Sequence, residues 1–376
     1  MRIGIDGRTW EGTRTGVGRY TFELARELDA ALPEAEFIVY SQQPVTLPIV
    51  TSPRWTLRVE RRGWARWLKG TLWLKLCVGS LIREDKLDVF WAGSTLLPRL
   101  PRGVRSLSTV YDLNHKIVPQ SMATSVLWAH RLFFDRDVCA ADMVLAISKG
   151  TASRVESLLG RRGVGVIYPA ASSLFRPPTP SAIQETLRVH GLSQPYLLAV
   201  GTLEPRKNLE LLIQVFLTMR QVGQLPGYCL VLAGGAGWKD TRLRELIAGN
   251  ADAVRALGYV ADHDLPSLYA GAAAFVFPSV YEGYGMPALE ARLCGAKVLA
   301  ADVAEIREAC GEDGVFVTPD ANGLRDGILE VLAQSDVSVV TDPPSWEMGA
   351  AKMAEQFRTL CRNGSSHSPT RLLRTM

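Results

Sequence analysis

The feature that most limits what this chain can fold into is a repeated alternation of short apolar runs with stretches of helical period. Residues 2–6, 36–40, 88–92, 106–112, 143–148 and 164–168 read as strands, and the alternation restarts at 196–200, 228–233 and 272–276. Helical periods fill the gaps, as with Tyr20, Leu24, Ala25 and Leu28 on one face, or residues 208–220. Strands that are apolar throughout, alternating with helices, imply parallel sheets covered on both faces and joined by right-handed crossovers. The expected class is α/β, with two doubly wound parallel-sheet domains facing a cleft. A length of 376 residues exceeds one comfortable core. The proline-rich stretch 169–180 marks the joint. The expected layout is a first domain over 1–170, a linker over 171–185, a second domain over 186–345, a terminal helix over 346–361 and a disordered tail over 362–376.

Composition enters where it excludes partners. With 47% hydrophobic and 21% charged residues, the chain reads as globular. A net charge of +4 gives no reason to expect nucleic acid as a partner. Six cysteines without a C-x-x-C spacing read as reduced and structural. The chain opens directly on a strand, and no apolar run reaches the ~18 residues of a bilayer span, so a cytoplasmic location is expected. The basic residues concentrate between Pro53 and Lys75, where seven Arg or Lys and four of the nine tryptophans meet the single acid Glu60. On a helix, Trp64, Trp67, Leu68 and Leu74 would oppose Arg62, Arg66 and Lys69. That pattern suits an anionic membrane surface touched by residues 54–75, and a peripheral location at the inner face of the membrane. It equally suits a helix packed on the first sheet, and Gly63 and Gly70 weaken either helix.

Three stretches carry chemistry. The first is the glycine-rich loop 12–20, between a strand and a helix; Gly16-Val17-Gly18 lacks the third glycine of a dinucleotide fingerprint, and no acid closes the second strand, so NAD is weakly supported. In the second, strand 196–200 runs into Gly201-Thr202-Leu203-Glu204-Pro205-Arg206-Lys207-Asn208. Two adjacent cations at a strand's carboxyl end suit a diphosphate, with Asn208 as a helix cap, although a solvated basic turn is the alternative. The third is Phe277–Glu290. A strand ends in a glycine-punctuated loop and a helix opened by Pro287, with Glu282 on the loop and Glu290 in the helix. The exposed amides at that helix start would attract an anion. Ligands of open α/β sheets gather at strand carboxyl ends, which adds Ser94, Tyr111, Asp112 and His115 as lining residues. Asp135-Arg136-Asp137 looks like a metal motif, but its acids stand about 200° apart on a helix and lack a third ligand.

In this order the stretches 16–20, 201–208, Leu257-Gly258-Tyr259-Val260 and Glu282-x7-Glu290 resemble family 4 retaining glycosyltransferases of GT-B fold, over nearly the whole chain. The resemblance implies two Rossmann-like domains, with the terminal helix crossing back to the first. It implies a nucleotide sugar as co-substrate, and no metal or other cofactor. Arg206 and Lys207 would bind the diphosphate. Glu282 and the amides of Gly283, Tyr284, Gly285 and Met286 would hold the donor sugar, Glu290 the ribose, and Tyr259 and Val260 the base. Gly16 would let the N-terminal loop approach the diphosphate, and Gly201 is counted among the donor-binding residues. Tyr111-Asp112 stands where many members have His-Asp, leaving Asp112 as an acceptor or sugar contact and the histidine's role open. Arg206, Lys207, Glu282 and Asp112 form the expected catalytic group. The pattern points to a hexosyltransferase, with GDP-mannose as first choice of donor and UDP sugars or GDP-rhamnose open, acting on a glycan, lipid-linked if residues 54–75 reach a membrane. A sugar-nucleotide 2-epimerase of the same fold and a non-catalytic sugar-nucleotide-binding protein are the competing readings.

Overall fold

The computed structural model describes residues 1–12, 16–193, 195–235, 237, 241–335, 340 and 342–365. The chain forms two compact units. In the first, seven strands lie parallel: β1 (Arg2–Asp6), β2 (Glu36–Ser41), β3 (Trp55–Val59), β4 (Val89–Ala92), β5 (Arg105–Val110), β6 (Met143–Ala146) and β7 (Gly165–Val166), in the order β3-β2-β1-β4-β5-β6-β7. The strand order reverses at β1, which pairs Ile3 with Phe37 on one side and with Val89 on the other. In the second unit β8 (Tyr196–Val200), β9 (Cys229–Ala233), β10 (Val254–Gly258), β11 (Ala274–Phe277), β12 (Val298–Ala301) and β13 (Val315–Val317) run parallel in the order β10-β9-β8-β11-β12-β13.

The apolar character of these strands follows from burial on both faces. In β8, Tyr196 and Leu198 join a core with Val231, Phe275 and Phe277, whereas Leu197 and Ala199 join the opposite core with Leu230, Leu232 and Val276. Successive side chains of a strand point to opposite faces, so a strand with helices on both sides has no room for a polar face. Among the described residues no helix is long and apolar enough to cross a membrane.

The units do not follow the expected boundaries. Residues 112–124 leave the first sheet and belong to the second unit, and residues from 344 onward return to the first. The expected linker 171–185 is not a free joint. Phe175 is buried in the second core, and a helix Pro180–Val189 is capped by Thr179, whose Oγ1 accepts from Ala182 N at 3.3 Å. Proline suits the first turn of a helix, and Leu187 is buried in the same core. The terminal helix is Trp346–Ser365, so residues 362–365 are helical; the rest of the expected tail lies outside the described residues. It packs on Gly16–Ala31: Gly349 sits where a Cβ would come 3.0 Å from Leu24, and Arg358 reaches Glu34 at 2.9 Å and the Ala31 carbonyl at 3.0 Å.

Residues 54–75 form no single helix. They are β3, a 3-10 turn Gly63–Trp67 and the start of a helical stretch that runs from Gly70 through a π-helical turn Leu74–Val78 to Asp85. The four tryptophans divide. Trp55 stacks on Phe37 and donates to Asp29 Oδ1 at 2.8 Å, and Trp73 is fully buried and donates to Glu60 Oε2 at 2.7 Å. Trp64 and Trp67 stand 61% and 90% exposed. Arg62 does not oppose them: it is clamped on Glu60 and lies over the Trp64 ring at 5.8 Å.

Candidate functional site

The site in the second unit grows from the carboxyl ends of β8 and β11. β8 ends in Gly201 at φ 143°, whose N–H donates to the Ala233 carbonyl at 2.9 Å. A Cβ there would meet Lys207 Cε at 3.2 Å, so only glycine gives both this backbone and this close approach. A 3-10 turn Pro205–Lys207 follows, and Asn208 at φ 56° ends it. Asn208 is not the expected helix cap through its side chain; Nδ2 instead donates to the Pro319 carbonyl at 3.1 Å, anchoring the turn.

The turn presents both cations to the loop after β11. Lys207 Nζ donates to Glu282 Oε1 at 2.7 Å and lies 4.8 Å over the Phe277 ring. Arg206 pairs through Nη1 with Glu282 Oε2, donates to the Tyr281 carbonyl at 2.9 Å, and through Nη2 reaches Glu204 Oε1 at 2.6 Å. Val280 N–H donates to the Arg206 carbonyl at 3.0 Å, locking loop to turn. Glu282 is 8% exposed. Burial pushes its carboxyl up, but the charges of Lys207 and Arg206 prevail and hold it at about 2. Burial would lower the Arg206 pKa, and Glu282 and Glu204 raise it instead. Two cations and two carboxylates therefore cancel in charge. Lys207 has one acceptor among the described residues, so two of its ammonium hydrogens remain for a ligand.

Asp112 joins this cluster because residues 112–124 belong to the second unit. Its Oδ1 accepts from Asn114 N–H at 3.0 Å, and Leu113 N–H donates to the buried Tyr281 hydroxyl at 2.9 Å. Burial pushes the Asp112 carboxyl up; Asn114 and Arg206 oppose the shift, and Glu282 and Glu204 add to it. His115 is buried in the short helix Asn114–Ile117.

Downstream, Gly285 at φ 109° starts the helix Met286–Leu293, with Tyr284 buried and Gly283 and Met286 half-buried. Glu290 is 9% exposed and accepts from Tyr269 Oη at 3.3 Å. Tyr259 and Val260 part company. Tyr259 is 79% exposed, but the Val260 side chain is packed in the core with Leu268, so its expected contact with a base is not available to that side chain.

The remaining expected residues lie in the first unit. Gly16 begins the helix Gly16–Ala31, with open space among the described residues where a Cβ would stand, and residues 13–15 of its loop lie outside the described residues. The Tyr111 hydroxyl donates to the Gly93 carbonyl at 2.7 Å and its ring meets Tyr20 edge-on at 5.4 Å, so this residue serves packing. Ser94 accepts from Arg8 Nη2 at 2.5 Å and donates to Asp6. Sequence reasoning passes over Glu204, Tyr281 and Tyr269. It also misses Ser279, whose buried hydroxyl has no partner among the described residues. Glu204 carries a legible signal, an acid next to the cation pair at a strand's carboxyl end.

Residues 194–334 match the sequence model of the family described as glycosyl transferases group 1, and the second unit is a glycosyltransferase domain of that family. Over most of its length the chain is similar to the O-antigen chain mannosyltransferase B of Escherichia coli, at 28% identity over 350 residues, 85% of this chain and 87% of that one. Among solved structures, a sucrose-phosphate synthase from Thermosynechococcus elongatus matches with a TM-score of 0.67 and 19% identity, covering 97% of each chain. Anabaena HepE in complex with UDP-glucose matches with a TM-score of 0.66 and 17% identity, covering 97% of this chain and 98% of that one. These likenesses show the fold, two parallel-sheet α/β units of GT-B type.

Proposed function

We propose that this chain is a retaining hexosyltransferase that moves mannose from GDP-mannose to a lipid-linked glycan in the assembly of a bacterial surface polysaccharide. The observation that carries the reading is the convergence of Arg206 and Lys207 on the buried, ionised Glu282 at the carboxyl edge of the second sheet. Positive charge fixed in advance by a buried carboxylate is suited to a departing nucleoside diphosphate, since it needs no reorganisation when the leaving group's charge grows. Lys207 supplies free ammonium hydrogens to a phosphate oxygen, and the two cations take the place that a metal ion would otherwise fill. An oxocarbenium-like sugar then meets the acceptor hydroxyl on the face the diphosphate left, the hydroxyl's proton passes to an oxygen of the departing diphosphate, and the anomeric configuration is kept. Glu290 and Tyr259 are assigned to ribose and base, and the Gly283–Met286 segment and Asp112 to the sugar. The name of the Escherichia coli relative supports mannose and an O-antigen acceptor. Product formation over a panel of sugar nucleotides tests the donor: GDP-mannose is expected to be turned over fastest, and preference for a UDP sugar would refute that choice.

A peripheral position on the cytoplasmic face of the membrane fits this activity. Trp64, Trp67, Leu72 and Leu76 are exposed beside the exposed cations Arg61, Arg66 and Lys69, an apolar and basic surface that complements an anionic bilayer. In flotation with vesicles containing phosphatidylglycerol, the protein is expected to rise with the lipid at low salt and to be released by salt or by a Trp64→Ala, Trp67→Ala double variant. Protein that stays with the soluble fraction at low salt counts against membrane docking.

A further inference from the structure

A second built cluster lies in the first unit, at the neighbouring carboxyl ends of β2, β1 and β4, where the strand order reverses. Open α/β sheets receive ligands at this place. Asp6 ends β1 and is fully buried, yet it is ionised: burial pushes its carboxyl up, and the Arg8 charge beside it brings it below the ordinary value. It accepts from Arg8 Nε at 2.8 Å, from Nη2 at 2.7 Å, from the Arg8 backbone N–H at 3.3 Å, and from Ser94 Oγ. Glycines permit this convergence. A Cβ on Gly93 would meet Thr21 Cγ2 at 2.8 Å, and one on Gly7 would meet Val39 Cγ1 at 2.5 Å.

With Asp6 saturated, one edge of the guanidinium is left over. Arg8 Nη1 has no acceptor among the described residues. Gln42, just past β2, spends its Nε2 on the carbonyls of Ala65 at 3.2 Å and Leu68 at 2.9 Å, which leaves Oε1 as an acceptor. Both atoms border the same space in front of Gly70: a Cβ there would lie 3.6 Å from Gln42 Oε1 and 3.8 Å from Arg8 Nη1. The space thus holds one fixed donor and one fixed acceptor. An anion would face the lone pairs of Gln42 Oε1, whereas a neutral hydroxyl pair can donate to that oxygen and accept from Arg8 Nη1, matching both atoms.

We propose that Arg8 Nη1 and Gln42 Oε1, opposite Gly70, form a subsite for the hydroxyls of an uncharged acceptor sugar, with Asp6 and Ser94 as positioning residues that fix the guanidinium. This assignment rests on the glycosyltransferase reading above. Saturation-transfer NMR on the full chain tests it with the methyl α-glycosides of mannose, glucose and galactose as probes. At least one is expected to bind the wild type. Binding weakens by about tenfold or more in Arg8→Gln, since a hydrogen bond to a charged group is lost, and is partly retained in Arg8→Lys. Arg8→Gln leaves Asp6 buried without its partner, so Gly70→Val serves as the second variant. It fills the space from the Gly70 side, where a Cβ meets Gln42 Oε1 and Arg8 only at ordinary contact distance, and leaves Arg8 paired with Asp6; it is expected to lose glycoside binding while keeping the wild-type Tm. Absence of binding by the wild type, or equal binding by Gly70→Val, overturns the proposal. Nucleoside diphosphate release from the sugar-nucleotide panel is measured alongside. Its absence in a protein that binds glycosides would defeat the transferase reading and leave the subsite standing.

Discussion

Replacing Lys207 with alanine is expected to lower sugar transfer by about 10²-fold or more, because in the proposed function the ammonium would face the diphosphate where negative charge grows, and a group so placed is worth several kcal/mol at the transition state. Lys207 is the sharper probe of the two cations. Arg206 is held by Glu204, Glu282 and the Tyr281 carbonyl, so its removal also loosens the turn. Lys207 has one acceptor among the described residues and keeps hydrogens for a ligand. The loss should therefore fall on kcat; because Lys207 is also one of the two partners of the buried Glu282, Tm is expected to fall as well, and turnover is compared at a temperature where the variant is folded. Lys207→Arg keeps the charge but must place a wider head against Gly201, where Lys207 already lies 3.2 Å from a Cβ position, so only partial activity is expected. Turnover of Lys207→Ala close to that of the wild type would remove these cations from the chemistry.

The second large effect concerns stability. Glu282→Gln leaves Arg206 and Lys207 without their shared carboxylate in a nearly closed environment, and breaking a buried pair from one side costs about 3–5 kcal/mol. The pH dependence separates this cause from simple loss of packing. The Glu282 carboxyl is held at about 2 in the folded chain against an ordinary 4.5. Its stabilising contribution is complete above about pH 4.5 and is lost as the pH falls toward 2, because the unfolded chain then binds the proton first. Urea unfolding between pH 3 and 7 is expected to show a steep acid limb in the wild type and a flatter one in Glu282→Gln. Parallel limbs would mean that other carboxylates govern acid stability.

Much of this was legible from sequence for a physical reason. A parallel strand covered on both faces must be apolar throughout, so β1, β8 and β11 announce themselves, and Glu282-x7-Glu290 fixes a loop and a helix at a known distance. What stayed hidden depends on partners far apart in the chain. Asp112 reaches Arg206 only because residues 112–124 leave one unit for the other, and no local pattern marks that excursion. The tryptophans of 54–75 look alike as letters. Trp55 and Trp73 are buried because Asp29 and Glu60 receive their indole N–H groups, and among the described residues Trp64 and Trp67 have no such acceptors. Nor does any local pattern mark Arg8, whose partners Asp6 and Ser94 and neighbour Gln42 come from the ends of three different strands.

The return of the helix Trp346–Ser365 to the first unit has a consequence for biosynthesis. Met353 and Phe357 are fully buried there, and the Phe357 ring centroid lies 6.5 Å from that of Trp91. Burial of a side chain of that size contributes about 1.5–3 kcal/mol. The first unit therefore waits for a segment that follows the second in the chain, whereas residues 171–343 hold most of the second unit in one continuous run. Folding on the ribosome should proceed out of order, with the second unit closing before the first. A premature stop before residue 346 would then leave a folded second unit trailing an unfinished first one, the kind of nascent chain that depends on chaperones.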